Sequence, residues 1–226
     1  MSNLYIIYGS ESSVLSDFID TNYDPKIRIY NNTIPTACDN CIDVQLSGFE
    51  EILSEQISIK SIKRIIFIGA AFRSQSKLFL NESLSDIEDQ LNTNVINYIK
   101  LAKLILPYMI NLRFGRFIYL SSFRSTVTSR GISIYSSSKA FGEKFFQILG
   151  LENAAFGITS HSIRMGYFDG RMTEELGANF EQSIKPRIGM RRLGRSSDLT
   201  QAINFLVECS FTNGGVLELT GGINYV

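Results

Sequence analysis

Three side chains in the middle of the chain, Ser122, Tyr135 and Lys139, have the types and spacing to move a proton on and off an oxygen atom. A free tyrosine has a pKa of about 10, too high for a ready proton relay at neutral pH. A lysine cation one helical turn away favours the phenolate and lowers that value. A serine hydroxyl aimed at the same point can hydrogen-bond a carbonyl oxygen. Such a trio can give a proton to an oxygen, or take one from it, while hydride moves at the adjacent carbon. The hydride needs a cofactor, because no side chain supplies one.

Those residues require particular elements to position them. The apolar run Phe117–Leu120 ends in Ser121 and Ser122 and reads as a buried strand. The stretch from Tyr135 through Phe146 reads as a helix, which puts Tyr135 and Lys139 at i and i+4 on one face. Ser122 then stands at the C-terminal end of a strand, where open α/β sheets place their ligands. Tyr-x-x-x-Lys alone is a weak signal; the serine thirteen residues upstream strengthens it.

Together these residues resemble the short-chain dehydrogenase/reductase family, and the resemblance covers nearly the whole chain. It implies that Tyr135 is the general acid/base, that Lys139 lowers its pKa and holds the nicotinamide ribose, and that Ser122 positions the substrate oxygen. Asn94, within Leu91-Asn92-Thr93-Asn94-Val95, falls where the family carries an asparagine that stabilises a helix kink and supports the proton path.

The start of the chain reads as strand Leu4–Tyr8, a turn Gly9-Ser10-Glu11-Ser12-Ser13, and a helix from Val14. Free backbone N–H groups and the helix dipole make such a turn an anion site. The family places glycines here as Gly-x-x-x-Gly-x-Gly. This chain keeps Gly9 and carries Ser13 and Leu15 at the other two positions, with Ser10, Ser12 and Ser13 as compensating hydroxyl donors. A strand Lys26–Tyr30 follows. The acid that commonly holds the ribose of NAD after it is replaced by Asn31-Asn32, which leans the cofactor slightly toward NADP over NAD. By the same resemblance Asp43 and Val44 border the adenine. Gly69, Ala70 and Ala71 lie against a ribose, and Gly166 and the N–H of Phe168 meet the carboxamide. Gly170 stands where a threonine usually contacts the cofactor.

The alternation of strands and helices predicts one α/β domain over residues 1–226, with a doubly wound, mostly parallel sheet of about seven strands and helices on both faces. The family makes residues 170–195 a lid over the substrate. The lid is basic, with Lys185, Arg187, Arg191, Arg192 and Arg195. An anionic carbonyl or alcohol substrate and an ordinary solvated surface are the two readings. Phe123 and Arg124 line the pocket with it. Apolar residues in excess of one buried stripe, Phe145, Phe146 and Leu149, predict a homodimer or homotetramer built on the long helices Leu84–Leu112 and Tyr135–Leu151.

Composition excludes other classes. Lys+Arg equals Asp+Glu at 22 each in 226 residues, so no global basic field argues for nucleic acid. No apolar run approaches eighteen residues and no basic segment precedes Leu4, so neither a membrane span nor a signal peptide is expected, and the cytoplasm is the default. Cys38 and Cys41 have Cys-x-x-Cys spacing, but only Cys209 and His161 remain as ligands, far away in sequence, so no metal site is expected. His161 reads as a structural residue. Two rival readings are a non-catalytic scaffold of the same fold, motivated by the reduced glycine turn, and a nucleotide-sugar epimerase, for whose added substrate domain 226 residues leave no room.

Overall fold

In the computed structural model the described residues are 3–9, 12–21, 24–30, 40–45, 47–59, 62–72, 74, 76–170, 173 and 178–223. Seven strands form one sheet in the order β3-β2-β1-β4-β5-β6-β7. They are β1 Asn3–Tyr8, β2 Lys26–Tyr30, β3 Cys41–Asp43, β4 Arg64–Gly69, β5 Gly115–Ser122, β6 Ile158–Met165 and β7 Val216–Leu219. Every pairing is parallel. The strand order reverses between β1 and β4, which is the crevice where doubly wound sheets bind ligands.

The strands are apolar on both faces because helices cover both. Leu4, Ile6, Tyr8, Ile65 and Phe67 point to one side. There they meet α2 (Phe49–Ile59), α4 (Asn97–Leu112) and α5 (Ser133–Asn153) through Leu53, Leu101, Ile105, Met109 and Phe146. The alternate residues Tyr5, Ile7, Ile66 and Ile68 meet α1 (Ser16–Thr21) and the C-terminal helix (Ser196–Glu208) through Phe18, Leu199, Ile203 and Leu206. A smaller core of Phe123, Ile184, Ile188, Leu193 and Ile223 holds α6 (Ala178–Ile184) over the C-terminal edge of the sheet. We label the last helix, Ser196–Glu208, α7.

Helix α3 (Leu84–Leu91) runs into α4 through a π turn at Asn92–Ile96. The whole stretch Leu84–Leu112 is long and apolar enough to match a membrane span, which the sequence reading did not expect. Here its polar residues Gln90, Asn94 and Asn97 are buried and its Leu101, Ile105 and Met109 sit in the core, the setting of a core helix.

Three further expectations need correcting. Phe146 and Leu149 are buried in the core and Phe145 packs against it, so they are no surplus. The exposed apolar side chains of these helices are instead Leu84, Leu91, Ile96, Phe141, Ile148 and Leu151. The stretch Ser196-Ser197-Asp198 has the residue types of a helix cap, and the expectation that it caps the last helix is not met. The cap residue is Arg195, whose N–H donates to Asp198 Oδ2 at 2.8 Å, while Arg192 grips the same carboxylate with two nitrogens. Finally, Cys41 is disulfide-bonded, whereas the cysteines had been given no pairing; Cys209 is free.

One carboxylate ties the site's elements together. Glu143, on α5 one turn beyond Lys139, is only 7% exposed. It accepts from Ser121 Oγ on β5 at 2.6 Å and from Ser125 Oγ, in the 3-10 turn after β5, at 2.6 Å. Arg164 on β6 donates to it from Nε at 3.0 Å and from Nη2 at 2.6 Å. Burial alone would raise the Glu143 carboxyl, but the bonds from Arg164, Ser121 and Ser125 outweigh it and hold it below the usual value. Nearby, α5 can lie close on β5 because Gly142 has no Cβ; one would stand 2.4 Å from the Tyr119 ring.

Removing one partner of a buried ion pair leaves the other charge uncompensated. Glu143→Gln is therefore expected to lower unfolding stability at pH 7 by about 3 kcal/mol. The pH sign follows from the depressed folded-state pKa. The contribution is full above the unfolded value of about 4.3 and is lost as pH falls through the folded one. Urea melts at pH 7 and pH 3 should show a smaller gap between parent and variant in acid. Equal midpoints at pH 7 would contradict this role.

Candidate active site

The C-terminal ends of β5, β4 and β1 converge on one crevice. Ser122 closes β5, and its hydroxyl accepts from the Arg124 N–H at 3.3 Å. Tyr135 lies in the first turn of α5, 8% exposed, with its ring against Phe72. Its hydroxyl takes a hydrogen bond from Ser122. Lys139 follows one turn later, fully enclosed, and Nζ donates to the Leu120 carbonyl at 2.8 Å. Helical spacing brings Tyr135 and Lys139 to one face as the sequence implied, and Ser122 meets them.

The electrostatics differ from expectation. Burial pushes the Tyr135 phenol above its ordinary value, and Ser122 and the Arg124 charge oppose that only in part. Lys139 was expected to lower it. Instead Nζ points to the end of β5, lies 4.9 Å from the Tyr119 ring centroid and 5.9 Å from that of Tyr135. Burial pulls Lys139 itself down to about 7, with the Glu143 charge opposing. Two groups taken out of water each disfavour their ions, and the cation is spent on a backbone carbonyl. Tyr135 is thus a protonated acid at neutral pH.

Asn94 sits in the π turn, and its Nδ2 donates to Ser138 Oγ at 3.1 Å. Ser138 in turn donates to the Tyr135 carbonyl at 2.7 Å. A π turn is a break in the i→i−4 ladder, and it falls where the resemblance placed a helix kink. Asn94 reaches the helix that carries Tyr135 through Ser138.

On the other side of the crevice, Gly9 has φ +84, and a Cβ there would stand 2.2 Å from the Ala71 nitrogen. Only glycine fits between β1 and the β4 turn. Ala70 and Ala71 both donate their N–H to the Tyr8 carbonyl, and Gly69 ends β4. Ser12 and Ser13 enter a 3-10 turn (Ser13–Leu15), and the Val14 carbonyl accepts from Ser196 Oγ at 2.9 Å. Asp43 ends β3 and its Oδ1 accepts from the Gln45 N–H at 2.9 Å. The Val44 side chain is packed in the core, so only its backbone can border a ligand. Gly166 donates to the Leu219 carbonyl at 3.0 Å. Phe168 bridges Gly194 through its neighbours' polar groups, so its own N–H takes no part in that bridge; its ring is buried. Ser10 and Asn31 lie outside the described residues.

Two positions correct the reading of the glycine turn. Leu15 is fully buried between β1, α1 and α7. A glycine at 15 would delete a core side chain rather than open room for a ligand. Gly170 approaches Ser13 so closely that a Cβ would stand 2.5 Å from Ser13 Oγ. Absence of a side chain at 170 is what leaves Ser13 its place. The crevice therefore keeps a small-residue cradle at Gly9, Gly69, Ala70 and Ala71 and a Ser-Tyr-Lys wall opposite, which fits a dinucleotide lying across the switch in strand order.

Sequence reasoning missed Glu143 and Arg164. Glu143 was findable, since it lies at i+4 from Lys139 on the same helical face. Arg164 was not, because its role depends on strand pairing of β5 with β6. His161 was read as structural, and it is buried with Nε2 2.9 Å from the Thr212 carbonyl. Among the described residues no cluster of His, Cys, Asp or Glu could hold a metal ion.

The chain matches the short chain dehydrogenase family over residues 53–181. It is 29% identical over 184 residues to the 3-oxoacyl-[acyl-carrier-protein] reductase FabG of Buchnera aphidicola, covering 80% of this chain and 73% of that one. It is 30% identical over 182 residues to the 3-oxoacyl-[acyl-carrier-protein] reductase of Bos taurus, with 80% and 73% covered. The structure of ElxO with NADP bound superposes with a TM-score of 0.79 over 98% of each chain, at 21% identity. With a parallel seven-stranded sheet, a crevice at its switch point and these relatives, the chain belongs to the short-chain dehydrogenase/reductase family and is an oxidoreductase of that class.

Proposed function

We propose that this protein interconverts a carbonyl and an alcohol on a small molecule, with NADP or NAD as the hydride carrier and a slight lean to NADP. One observation carries the reading: a buried, protonated Tyr135 hydrogen-bonded to Ser122 at the mouth of the crevice, with Lys139 one turn behind it. The FabG relatives are named as reductases, and ElxO was solved with NADP, which supports a nicotinamide cofactor. The bound nicotinamide supplies or accepts the hydride.

The chain's own residues do the rest. Ser122 holds the substrate oxygen. Tyr135 gives that oxygen its phenolic proton in reduction and takes it back in oxidation. The raised phenol pKa favours the acid form, which suits reduction. Lys139 anchors the cofactor ribose and shifts the phenol toward release once it is charged. Asn94 steadies the Tyr135 turn through Ser138 and supports proton resupply. Gly9, Ser12, Ser13 and Val14 hold the pyrophosphate, with Ser10 beside them. Asn31, Asp43 and Val44 border the adenosine half, Gly69, Ala70 and Ala71 lie under a ribose, and Gly166 and Phe168 meet the carboxamide. Glu143 and Arg164 are positioning residues for Ser122 and Lys139.

We also assign a homodimer or homotetramer to this protein, formed through α3–α4 and α5. Leu84, Leu91 and Ile96 on one helix pair, with Phe141, Ile148 and Leu151 on the other, give two exposed apolar faces that a second copy can cover. Light scattering at micromolar concentration should report twice or four times the mass of one chain; a monomer would contradict it.

Replacing Tyr135 with Phe removes only a hydroxyl, so fold and cofactor binding should survive. Turnover of carbonyl substrates should fall by a factor on the order of a hundred or more. Ser122→Ala should likewise keep cofactor affinity and lose rate, whereas Lys139→Ala should lose both. Initial rates across a panel of ketones and aldehydes, beside a cofactor titration for each variant, measure this. Equal turnover by Tyr135→Phe and the parent would refute the assignment.

A further inference from the structure

A cavity of about 220 Å³ opens beside Ser122, between the 3-10 turn after β5 and the segment around α6. Its lining is mostly polar: the guanidinium groups of Arg124 and Arg187 stand with Thr128 and Ser129, beside the apolar side chains of Phe123, Val127 and Ile184. Among the described residues that line it there is no carboxylate. This is small beside typical ligand pockets of roughly 300–1,000 Å³.

Arg124 is the informative residue. It follows Ser122 by two positions, and its N–H donates to the Ser122 hydroxyl. Its guanidinium is held on two sides. Nη2 donates to the Tyr167 hydroxyl at 3.1 Å, and the group lies 5.3 Å from the Phe123 ring centroid. Two other basic side chains of this region are neutralised: Lys185 pairs with Glu181 and Arg192 with Asp198. Among the described residues no acid pairs with Arg124. Its charge also acts on the Tyr135 phenol, which places it on the reacting side of the cavity.

A fixed, half-buried guanidinium facing a largely polar cavity has no anionic partner among the described residues. The planar fork matches a carboxylate with two parallel hydrogen bonds, and such charge-assisted bonds are the strong ones. Because the Arg124 N–H meets the Ser122 hydroxyl, a carboxylate on the guanidinium and a carbonyl at Ser122 can belong to one short molecule. We infer that the substrate is a small oxo acid, or the matching hydroxy acid, whose carboxylate is read by Arg124, while its carbonyl oxygen meets Ser122 and Tyr135. The inference rests on the proposed carbonyl–alcohol chemistry of this crevice and adds the substrate class. Val127 and Ile184 then accept a short aliphatic chain.

The test compares 2-oxobutanoate and 3-oxobutanoate with their methyl esters, which keep the carbonyl and lose the charge. Two readouts are taken on the full chain: initial rates of reduced-nicotinamide oxidation, and calorimetric binding of the same four compounds. The parent should favour at least one acid over its ester by about tenfold or more in kcat/KM and in affinity, the worth of one charge-assisted bond. Arg124→Gln should collapse that preference toward unity, with the loss in KM rather than kcat, and Arg124→Lys should restore part of it. Thermal melts confirm that both variants fold. Parent binding that does not discriminate acid from ester, or a preference unchanged in Arg124→Gln, overturns the inference while leaving ester reduction to support the carbonyl chemistry. Acid-selective, Arg124-dependent binding without any reduction has the opposite meaning: the anion site stands and the proposed chemistry falls.

Discussion

The geometry of the crevice depends on a carboxylate buried under it. Glu143 draws together four donors from β5, the turn after β5, and β6, while standing on α5. A buried acid is costly unless it is paired and hydrogen-bonded, and here both conditions are met. The consequence is positional. Ser121 precedes Ser122, Ser125 closes the turn that carries Arg124, and Lys139 lies one helical turn from Glu143. Fixing one carboxylate therefore fixes the strand end, the turn and the helix whose side chains face the crevice. Arg164 extends the link across β6 to Glu218 on β7.

The central part of the fold was legible in the sequence for physical reasons. A strand buried on both faces writes itself as a continuous apolar run, and β1, β4 and β5 did so. Tyr135 and Lys139 share a face because a helix repeats every 3.6 residues, and no tertiary information is needed to see it. What was missed needed the third dimension. Phe146 and Leu149 looked surplus because a single stripe was counted, whereas α5 buries a wide face against both β5 and β6. The cap of α7 shifted to Arg195 because Ser196 is drawn off to the Val14 carbonyl and the Asp17 N–H. Tyr135 was expected to be acidified by its lysine, and the lysine instead bonds a strand-end carbonyl.

The glycine turn shows how a motif can be rewritten by packing. Leu15 stands where the family has a glycine and is used as core, packed with α1 and α7. Gly170 then stands where a side chain would collide with Ser13. A pair of exchanged sizes, serine for glycine on one segment and glycine for a larger residue on the other, keeps the two segments in contact. The adenosine side depends on Asn31 and its neighbours, which lie outside the described residues, so the choice between NADP and NAD rests on the missing acid after β2.

Cofactor binding is the claim on which the proposed chemistry stands, and it can be read directly. Titrating the purified protein with NADPH and with NADH, while following nicotinamide fluorescence, measures both affinities in one experiment. The account predicts saturable binding of at least one of them, somewhat tighter for NADPH, and weakened by Lys139→Ala. Failure of the folded protein to bind either at millimolar concentration would contradict it.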